Sequence, residues 1–466
     1  TVGTPSPGHI QPMHPRVSRV SFRVVLCFMV LTLGSILAGR SSNRRFISSG
    51  GFRGWKRVDG RLRHQAHSRG RILRAFSSQP SAPPVTVYTH KECLNHRVMF
   101  HPESPERLRH LIEDVIPPLQ EELGFEVVQP PRLPEKNELA RVHTTSYVDS
   151  VYDAFSQIDE GLVPSVYLDA DTEIMPGSDA SILRGAGATL QAVEDVCEGK
   201  ALRAFVMVRP PGHHAEPNAA MGFCVFNNIM VGLAHAQAKY PDVIQRAALL
   251  DFDVHHGNGG QTACWSEPER FFASTHQSPL FPWKGKADDT GSAMNVINVP
   301  LAKNSTSADF RRAWEEKIIP TVRDFAPDII FASAGFDAHA DDPLASLNLQ
   351  EDDFHFVTDK IANLANEVAG GRLVTVLEGG YDPAALGRCV GSHIRALNDA
   401  PRPSEEQISF SHGSKTGKTR APQMMYSQQQ IQAMDKGEIR SALSRHGLPT
   451  SGKLDALRER LAKVPV

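Results

Sequence analysis

Four short segments of the 466-residue chain set ionisable, metal-competent side chains directly after apolar runs. They are RPPGHHAE (Arg209–Glu216), LDFDVHHGNG (Leu250–Gly259), SAGFDAHADDPL (Ser333–Leu344) and LEGGYDP (Leu377–Pro383). Residues i and i+2 of a strand face the same side, so Asp253 and His255 are expected to project together. One carboxylate and one imidazole suit a divalent transition metal, and Asp337, after the Ala334-Gly335 turn, can supply a third ligand. Three protein ligands leave a position for water, which marks a catalytic rather than a structural site. Alone, an Asp-x-His pair is a weak signal, since local capping and hydrogen bonding explain most such pairs.

The tandem His213-His214 supplies what such a site lacks. An imidazole beside a metal-bound water is a general base. Asp251 and Asn258 offer a carboxylate and an amide to orient the two rings. Tyr381, expected to follow a flexible Gly379-Gly380, can donate to a developing oxyanion. Metal, base and oxyanion donor together describe a hydrolase.

These residues need a scaffold that brings four segments to one place. Between about Val85 and Asn398, apolar runs (Phe205–Val208, Ala247–Phe252, Phe271–Ser274, Asp328–Ala332, Leu373–Leu377) read as strands. Helix-period stretches (Ser181–Glu198, Asn228–Ala238, Phe310–Phe325, Asp353–Val368) lie between them. That alternation predicts an α/β domain with a parallel sheet covered on both faces, and functional residues where strands end. Hydrophobic residues make up 41% and charged residues 22%, which excludes a fully disordered or polytopic membrane chain. Six cysteines form no C-x-x-C pair, against a disulfide scaffold or a cysteine zinc site.

In this order and spacing the four segments resemble the histone deacetylase and acetylpolyamine amidohydrolase superfamily, class II-like histone deacetylases in particular. The resemblance covers residues 85–398 and implies an arginase-like three-layer α/β/α fold with a central parallel sheet. It also implies a zinc-dependent lysine deacetylase acting on acetylated protein or peptide, a hydrolase and chromatin regulator. By the same resemblance Asp253, His255 and Asp337 match the Zn2+ ligands, His214 the general base and acid, and His213 its electrostatic partner. Tyr381 matches the carbonyl-polarising tyrosine, where one weakly active branch has histidine. Phe223 and Phe281 match the aromatics of the acyl-lysine tunnel, and Asp171 a residue holding the substrate backbone. Asp251 and Ser274, with Asp253 and His255, match a structural K+ site. Arg107, in HPESPERL, matches an arginine near an internal acetate channel. Asn258 stands where class II enzymes carry asparagine. Leu344 occupies the position where polyamine-specific relatives have glutamate, which implies a peptide preference. The family's usual small Gly-Thr-Gly turn is here Trp283-Lys284-Gly285, a bulky rim. An acetylpolyamine or other small-molecule amidohydrolase, and a catalytically idle DNA-associated scaffold, are the alternatives.

The ends of the chain differ from its body. Residues 1–90 carry fourteen Lys and Arg against one acid, Asp59. The uncharged run Val24–Ala38 is short for a bilayer span of about 20 residues. It precedes an Arg/Ser-rich stretch, so residues 1–80 read as a targeting region with a transit peptide. The expected destination is a plastid, with a mitochondrion second and the nucleus an alternative, and no stable membrane insertion of the mature protein. Residues 399–434 lose periodicity and read as a linker. Residues 435–464 resemble a SAP motif, a DNA-binding helical hairpin. Asp435 and Glu438 give its first helix a capping-box pattern, and Ser451 can cap a second. Its bases, Arg440, Arg445 and Lys453 among them, suit phosphate contact.

Overall fold

Runs of apolar residues too uniform to alternate build the centre of the molecule. In the computed structural model the described residues are 83–405, 407–408, 431–432, 436, 439 and 451–461. Among them are ten strands: β1 (Thr86–Tyr88), β2 (Glu126–Val128), β3 (Val166–Asp169), β4 (Thr172–Ile174), β5 (Arg203–Val206), β6 (Ala247–Asp251), β7 (Arg270–Gln277), β8 (Val296–Leu301), β9 (Ile329–Ala334) and β10 (Leu373–Leu377). Eight form one sheet in the order β2-β1-β5-β10-β9-β6-β7-β8, and every pairing in it is parallel. Strands β3 and β4 form a separate antiparallel pair. Every residue of β5, β6, β9 and β10 is buried. Such strands need cover on both faces, which is why they read as continuous apolar runs.

The cover comes from amphipathic helices. Helix Ser178–Cys197 packs on Asn228–Lys239, and Glu351–Ala369 packs on Pro383–Asp399. Two of the starts are fixed by side-chain caps. The Asn227 side chain accepts the Met230 N–H, and Asp382 accepts that of Ala385, with Pro383 in the first turn. A smaller apolar cluster of Leu139, Tyr147, Val151, Phe155, Ile174 and Phe226 supports β4 and the helix Thr145–Asp159.

The strand order explains the site. The four chemistry-bearing segments follow β5, β10, β9 and β6, which are neighbours in the sheet. Their carboxyl ends therefore meet at one rim, as open parallel sheets require of a functional site.

Several sequence-based boundaries shift. The strand expected at Phe205–Val208 begins at Arg203, a buried arginine whose charge disguised the strand start. Phe310–Phe325 is interrupted by a π-helical turn at Trp314–Ile318. No described helix is long and apolar enough to cross a membrane. The run Val24–Ala38, the transit-like segment, most of the linker, and Asp435, Glu438, Arg440 and Arg445 lie outside the described residues. A helix does occupy Leu454–Leu461, with Leu457 and Leu461 buried.

Candidate active site

Asp253 and His255 converge, though not through the pleat of a strand. Strand β6 ends at Asp251, and both residues lie in the loop beyond it. Side-chain-to-backbone bonds two residues on shape that loop: Asp251 Oδ1 accepts the Asp253 N–H at 3.1 Å, and Asp253 Oδ1 accepts the His255 N–H at 2.8 Å. Asp337 reaches in from the loop after β9, its Oδ1 accepting the Val254 N–H at 2.9 Å. His255 Nδ1 then lies 3.2 Å from Asp253 Oδ1 and 3.0 Å from Asp337 Oδ2. One ligand atom from each of the three falls within 4.8 Å of the others.

The donor set fits a divalent cation. All three residues are buried. Burial first, then Asp253, pushes the Asp337 carboxyl up to about 7. Two carboxylates in one dry site resist joint ionisation until positive charge is supplied. The floor is glycine by necessity. A Cβ on Gly335 would come 2.0 Å from Asp253 Oδ2, and one on Gly379 would come 2.1 Å from Asp337 Oδ2. The Gly379 N–H also donates to Asp253 Oδ2 at 2.8 Å. Gly379 is thus required for close approach rather than as a flexible joint.

The two histidines stand side by side with opposite settings. His213 Nδ1 donates to Asp251 Oδ2 at 3.0 Å. Burial disfavours charge on this ring, but Asp253 and Asp251 outweigh it and raise its pKa to about 10. His214 is held well below the ordinary value by burial and by its neighbours His213 and His255. Asn258 fixes its tautomer. The Asn258 Nδ2 donates to the His214 carbonyl at 3.0 Å and to Glu216 Oε1 at 2.7 Å, so Oδ1 must be the atom facing His214 Nδ1 at 2.8 Å. His214 Nδ1 therefore carries the proton, and Nε2 keeps its lone pair.

Above this buried floor sit three half-buried rings, Phe223, Phe281 and Tyr381. Phe281 packs edge-on to His214 with centroids 5.1 Å apart, and Phe223 packs on Tyr381 at 6.0 Å. A Cβ on Gly222 would come 2.5 Å from the His214 ring and 2.9 Å from Phe281, so only glycine lets this loop lie so close. Burial keeps the Tyr381 phenol far above its usual pKa, hence protonated and a donor. Its backbone N–H bonds Asp342 Oδ2 at 2.6 Å, and the Arg107 guanidinium lies 4.8 Å from the centre of its ring.

The remaining sequence-derived residues spread around this centre. Arg107 donates to the carbonyls of Gly380 and Glu378 and to Glu103 Oε1 at 3.1 Å. Ser274 pairs in register with Asp251 and bonds His276 Nδ1 at 2.9 Å. Asp171 Oδ1 accepts from the Gly222 N–H and the Thr172 hydroxyl, both at 3.0 Å, and so supports the Phe223 loop. Leu344 is half-buried behind Asp342, which accepts its N–H. Lys453 immediately precedes the Leu454–Leu461 helix, its carbonyl accepting the Leu457 N–H at 3.1 Å.

Two acids went unnoticed in the sequence reading. Glu378 Oε2 accepts the N–H groups of Gly212 at 2.7 Å and His213 at 3.1 Å, while Oε1 accepts the Ser333 hydroxyl at 3.1 Å. Burial pushes its pKa up to about 7. Glu103 clamps Arg209 with two bonds of 2.7 Å and also holds Arg107. A carboxylate closing an apolar strand, as in LEGG, was the available signal for Glu378.

A buried carboxylate–imidazole–carboxylate cluster, tandem histidines and a half-buried tyrosine at the rim of a parallel sheet define a hydrolase of the amidohydrolase type. The chain belongs to the histone deacetylase family: the histone deacetylase domain matches residues 101–397. It is 36% identical over 332 residues to "Histone deacetylase 10, chloroplastic" of Oryza sativa subsp. japonica, covering 68% of this chain and 73% of that protein. It is 33% identical over 336 residues to "Histone deacetylase 14, chloroplastic" of Arabidopsis thaliana, covering 69% and 78%. A "Histone deacetylase-like amidohydrolase" of Pseudomonas aeruginosa is 37% identical over 306 residues, covering 64% and 77%. The crystal structure of the HDA15 HD domain superposes with a TM-score of 0.62 at 28% identity, covering 71% of this chain and 93% of that one.

Proposed function

We propose that the protein is a metal-dependent lysine deacetylase, hydrolysing acetyl-lysine of a protein or peptide to lysine and acetate. The observation that carries this reading is the meeting of the Asp253, His255 and Asp337 ligand atoms with a neutral His214 and a protonated Tyr381. Those three residues would hold the ion, Zn2+ by the family's habit, which would supply Lewis acidity and acidify water when bound. His214 Nε2 takes the proton of the attacking water, since Nδ1 is committed to Asn258. The charged His213, pinned by Asp251, sets the field in which that base works. Tyr381 Oη donates to the carbonyl oxygen as it becomes an oxyanion, and His214 returns its proton to the departing amine. Phe223 and Phe281 line the path of the aliphatic lysine stem.

Asp251 and Ser274, adjacent across β6 and β7, are proposed to help hold a structural K+. Two similar proteins are described as chloroplastic, and with the basic, acid-poor residues 1–80 they support import into a plastid. Residues 85–398 are taken as the enzyme, 399–434 as a linker, and 435–464, with Arg440, Arg445 and Lys453, as a DNA-contacting hairpin.

The test is turnover by the full chain. Acetate should be released from acetyl-lysine peptides, with hydroxamate inhibition and one equivalent of bound metal. Faster turnover of N-acetylspermidine would replace the reading with a polyamine amidohydrolase. Bound metal with no turnover of any acylated substrate would replace it with a scaffold.

A further inference from the structure

The Asn258 amide works in one sense only. With Oδ1 toward His214 Nδ1, the ring keeps its proton on Nδ1 and leaves Nε2 free as a base. Turned over, the amide would present Nδ2 to Nδ1 and drive the proton onto Nε2. Three acceptors surround Nδ2: the His214 carbonyl at 3.0 Å, Glu216 Oε1 at 2.7 Å and Met221 Sδ at 3.6 Å. The sulfur accepts weakly, and the carbonyl belongs to the residue being oriented. The Glu216 carboxylate is the shortest and strongest of the three holds.

That side chain is not needed to shape its own loop. The Glu216 N–H bonds the Ala219 carbonyl at 2.9 Å, and the Glu216 carbonyl accepts from His143 Nδ1 at 3.0 Å. The backbone is therefore fixed separately, and the carboxylate is free for another task. It is only 12% exposed, and its Oε1 also accepts from Lys284 Nζ at 2.9 Å. A carboxylate in so dry a place needs a charged partner. Lys284, 49% exposed, supplies it from the rim.

The rim loop is bent to deliver that lysine. Trp283 and Gly285, on either side of it, both adopt left-handed backbone, with φ of 63° and 81°. Such strain in a tryptophan collects where function requires it. The Trp283 N–H bonds the Leu280 carbonyl at 2.9 Å, and the Gly285 carbonyl accepts from His276 Nε2 at 2.8 Å. A Cβ on Gly285 would meet His256 at 2.4 Å. The Trp283 ring is left exposed while Lys284 turns to Glu216. The same loop sets Phe281 edge-on to His214, with centroids 5.1 Å apart. His214 is thus gripped twice from the rim, by a ring and by the relay Lys284–Glu216–Asn258.

We infer that Glu216 and Lys284 are positioning residues for the general base: Glu216 fixes the sense of the Asn258 amide, and Lys284 holds Glu216 in place from the rim. The inference rests on the deacetylase reading and deepens its proton-transfer step. The test measures kcat and KM separately on an acetyl-lysine peptide, using full-chain variants. Glu216→Leu should lower kcat about tenfold, the scale of one charge-assisted hydrogen bond, with KM little changed. Glu216→Gln keeps an accepting oxygen and should retain most of kcat. Lys284→Met should lose less than Glu216→Leu, and nothing further when combined with it, while Lys284→Arg keeps the charge and should stay near wild type. An Asn258→Asp background separates the relay from a general loosening of the loop. A carboxylate at 258 has no wrong face and is repelled by Glu216, so Glu216→Leu should no longer lower kcat there. Wild-type kcat in Glu216→Leu, an equal loss in Glu216→Gln, or an undiminished loss in the Asn258→Asp background overturns the relay and leaves the deacetylase reading standing. No turnover of any acylated substrate by wild type overturns both.

Discussion

The carboxylate of Glu378 grips the backbone of His213, accepting its N–H at 3.1 Å while also accepting that of Gly212. The bond ties the end of β10 to the loop after β5, and Ser333 at β9 joins through its hydroxyl. The tandem histidines are thus positioned by a residue that touches neither ring. Glu378→Ala leaves two buried N–H groups unpaired, costing roughly 1–3 kcal/mol each, and should lower kcat more than it raises KM. Glu378→Gln keeps an accepting oxygen and a donor for Ser333. It should recover most of kcat, and equal loss in the two variants would refute a positioning role.

Removing one metal ligand should differ in kind from removing the oxyanion donor. Asp253→Ala is expected to abolish metal retention and activity together, since among the described residues three protein ligands converge at the site. Tyr381→Phe should retain metal and lose about 10²- to 10³-fold in kcat. Metal analysis beside single-turnover kinetics separates the two, and a metal-loaded, inactive Asp253→Ala would contradict the ligand assignment.

Much of this architecture was legible because each motif ends a fully apolar run. Strand β10 falls at Leu373–Leu377 as read, and β6 differs by one residue. What escaped notice has physical causes. Strands β1 and β2 are three residues long, too short for a periodic signal. Strand β8 contains Pro300, which its edge position tolerates. Asp253 and His255 were expected to meet through strand pleat, yet they meet through side-chain-to-backbone turns, which hydropathy does not encode. Glu378 was overlooked because its partners are backbone N–H groups contributed by another segment.

Acid should destabilise the domain well above the carboxylate range. His143 donates from Nδ1 to the Glu216 carbonyl at 3.0 Å and accepts the Asn227 N–H at Nε2 at 2.9 Å, so it must stay neutral. Burial lowers His143 to about 4, His96 to about 4 and His393 to about 3. The unfolded chain takes up these protons near pH 6.5 while the folded one refuses them. The stability these three histidines contribute is therefore full above pH 6.5 and lost as pH falls toward 4, at up to about 1.4 kcal/mol per pH unit for each, opposed in part by Asp337 and Glu378, which the folded chain protonates first. Denaturant titrations between pH 7 and 5 should show this slope, and His143→Asn should reduce it by one histidine's share. An unchanged slope in His143→Asn would contradict the neutral assignment.

Glu103 and its two arginines give the last prediction, an ordering. All three are buried, and the carboxyl of Glu103 is held down to about 2 because Arg209 and Arg107 outweigh the cost of its burial. Removing one partner of a buried ion pair costs about 3–5 kcal/mol, since it strands the other charge. The three positions are nevertheless unequal. Without Arg107, Glu103 still has two bonds to Arg209, so no charge is left alone. Without the Glu103 carboxylate, the two guanidinium groups keep backbone carbonyls as hydrogen-bond partners: Gly380 and Glu378 for Arg107, Cys93 and that of residue 103 for Arg209. Glu103→Ala should therefore destabilise more than Arg107→Ala, by at least about 1 kcal/mol in urea unfolding. Activity should rank the other way per unit of stability lost. Arg107 bonds the carbonyls on either side of Gly379 and lies against the Tyr381 ring, so its loss releases the oxyanion donor directly. If Arg107→Ala proves the less stable variant, or leaves kcat untouched, the shared-carboxylate account of this network fails.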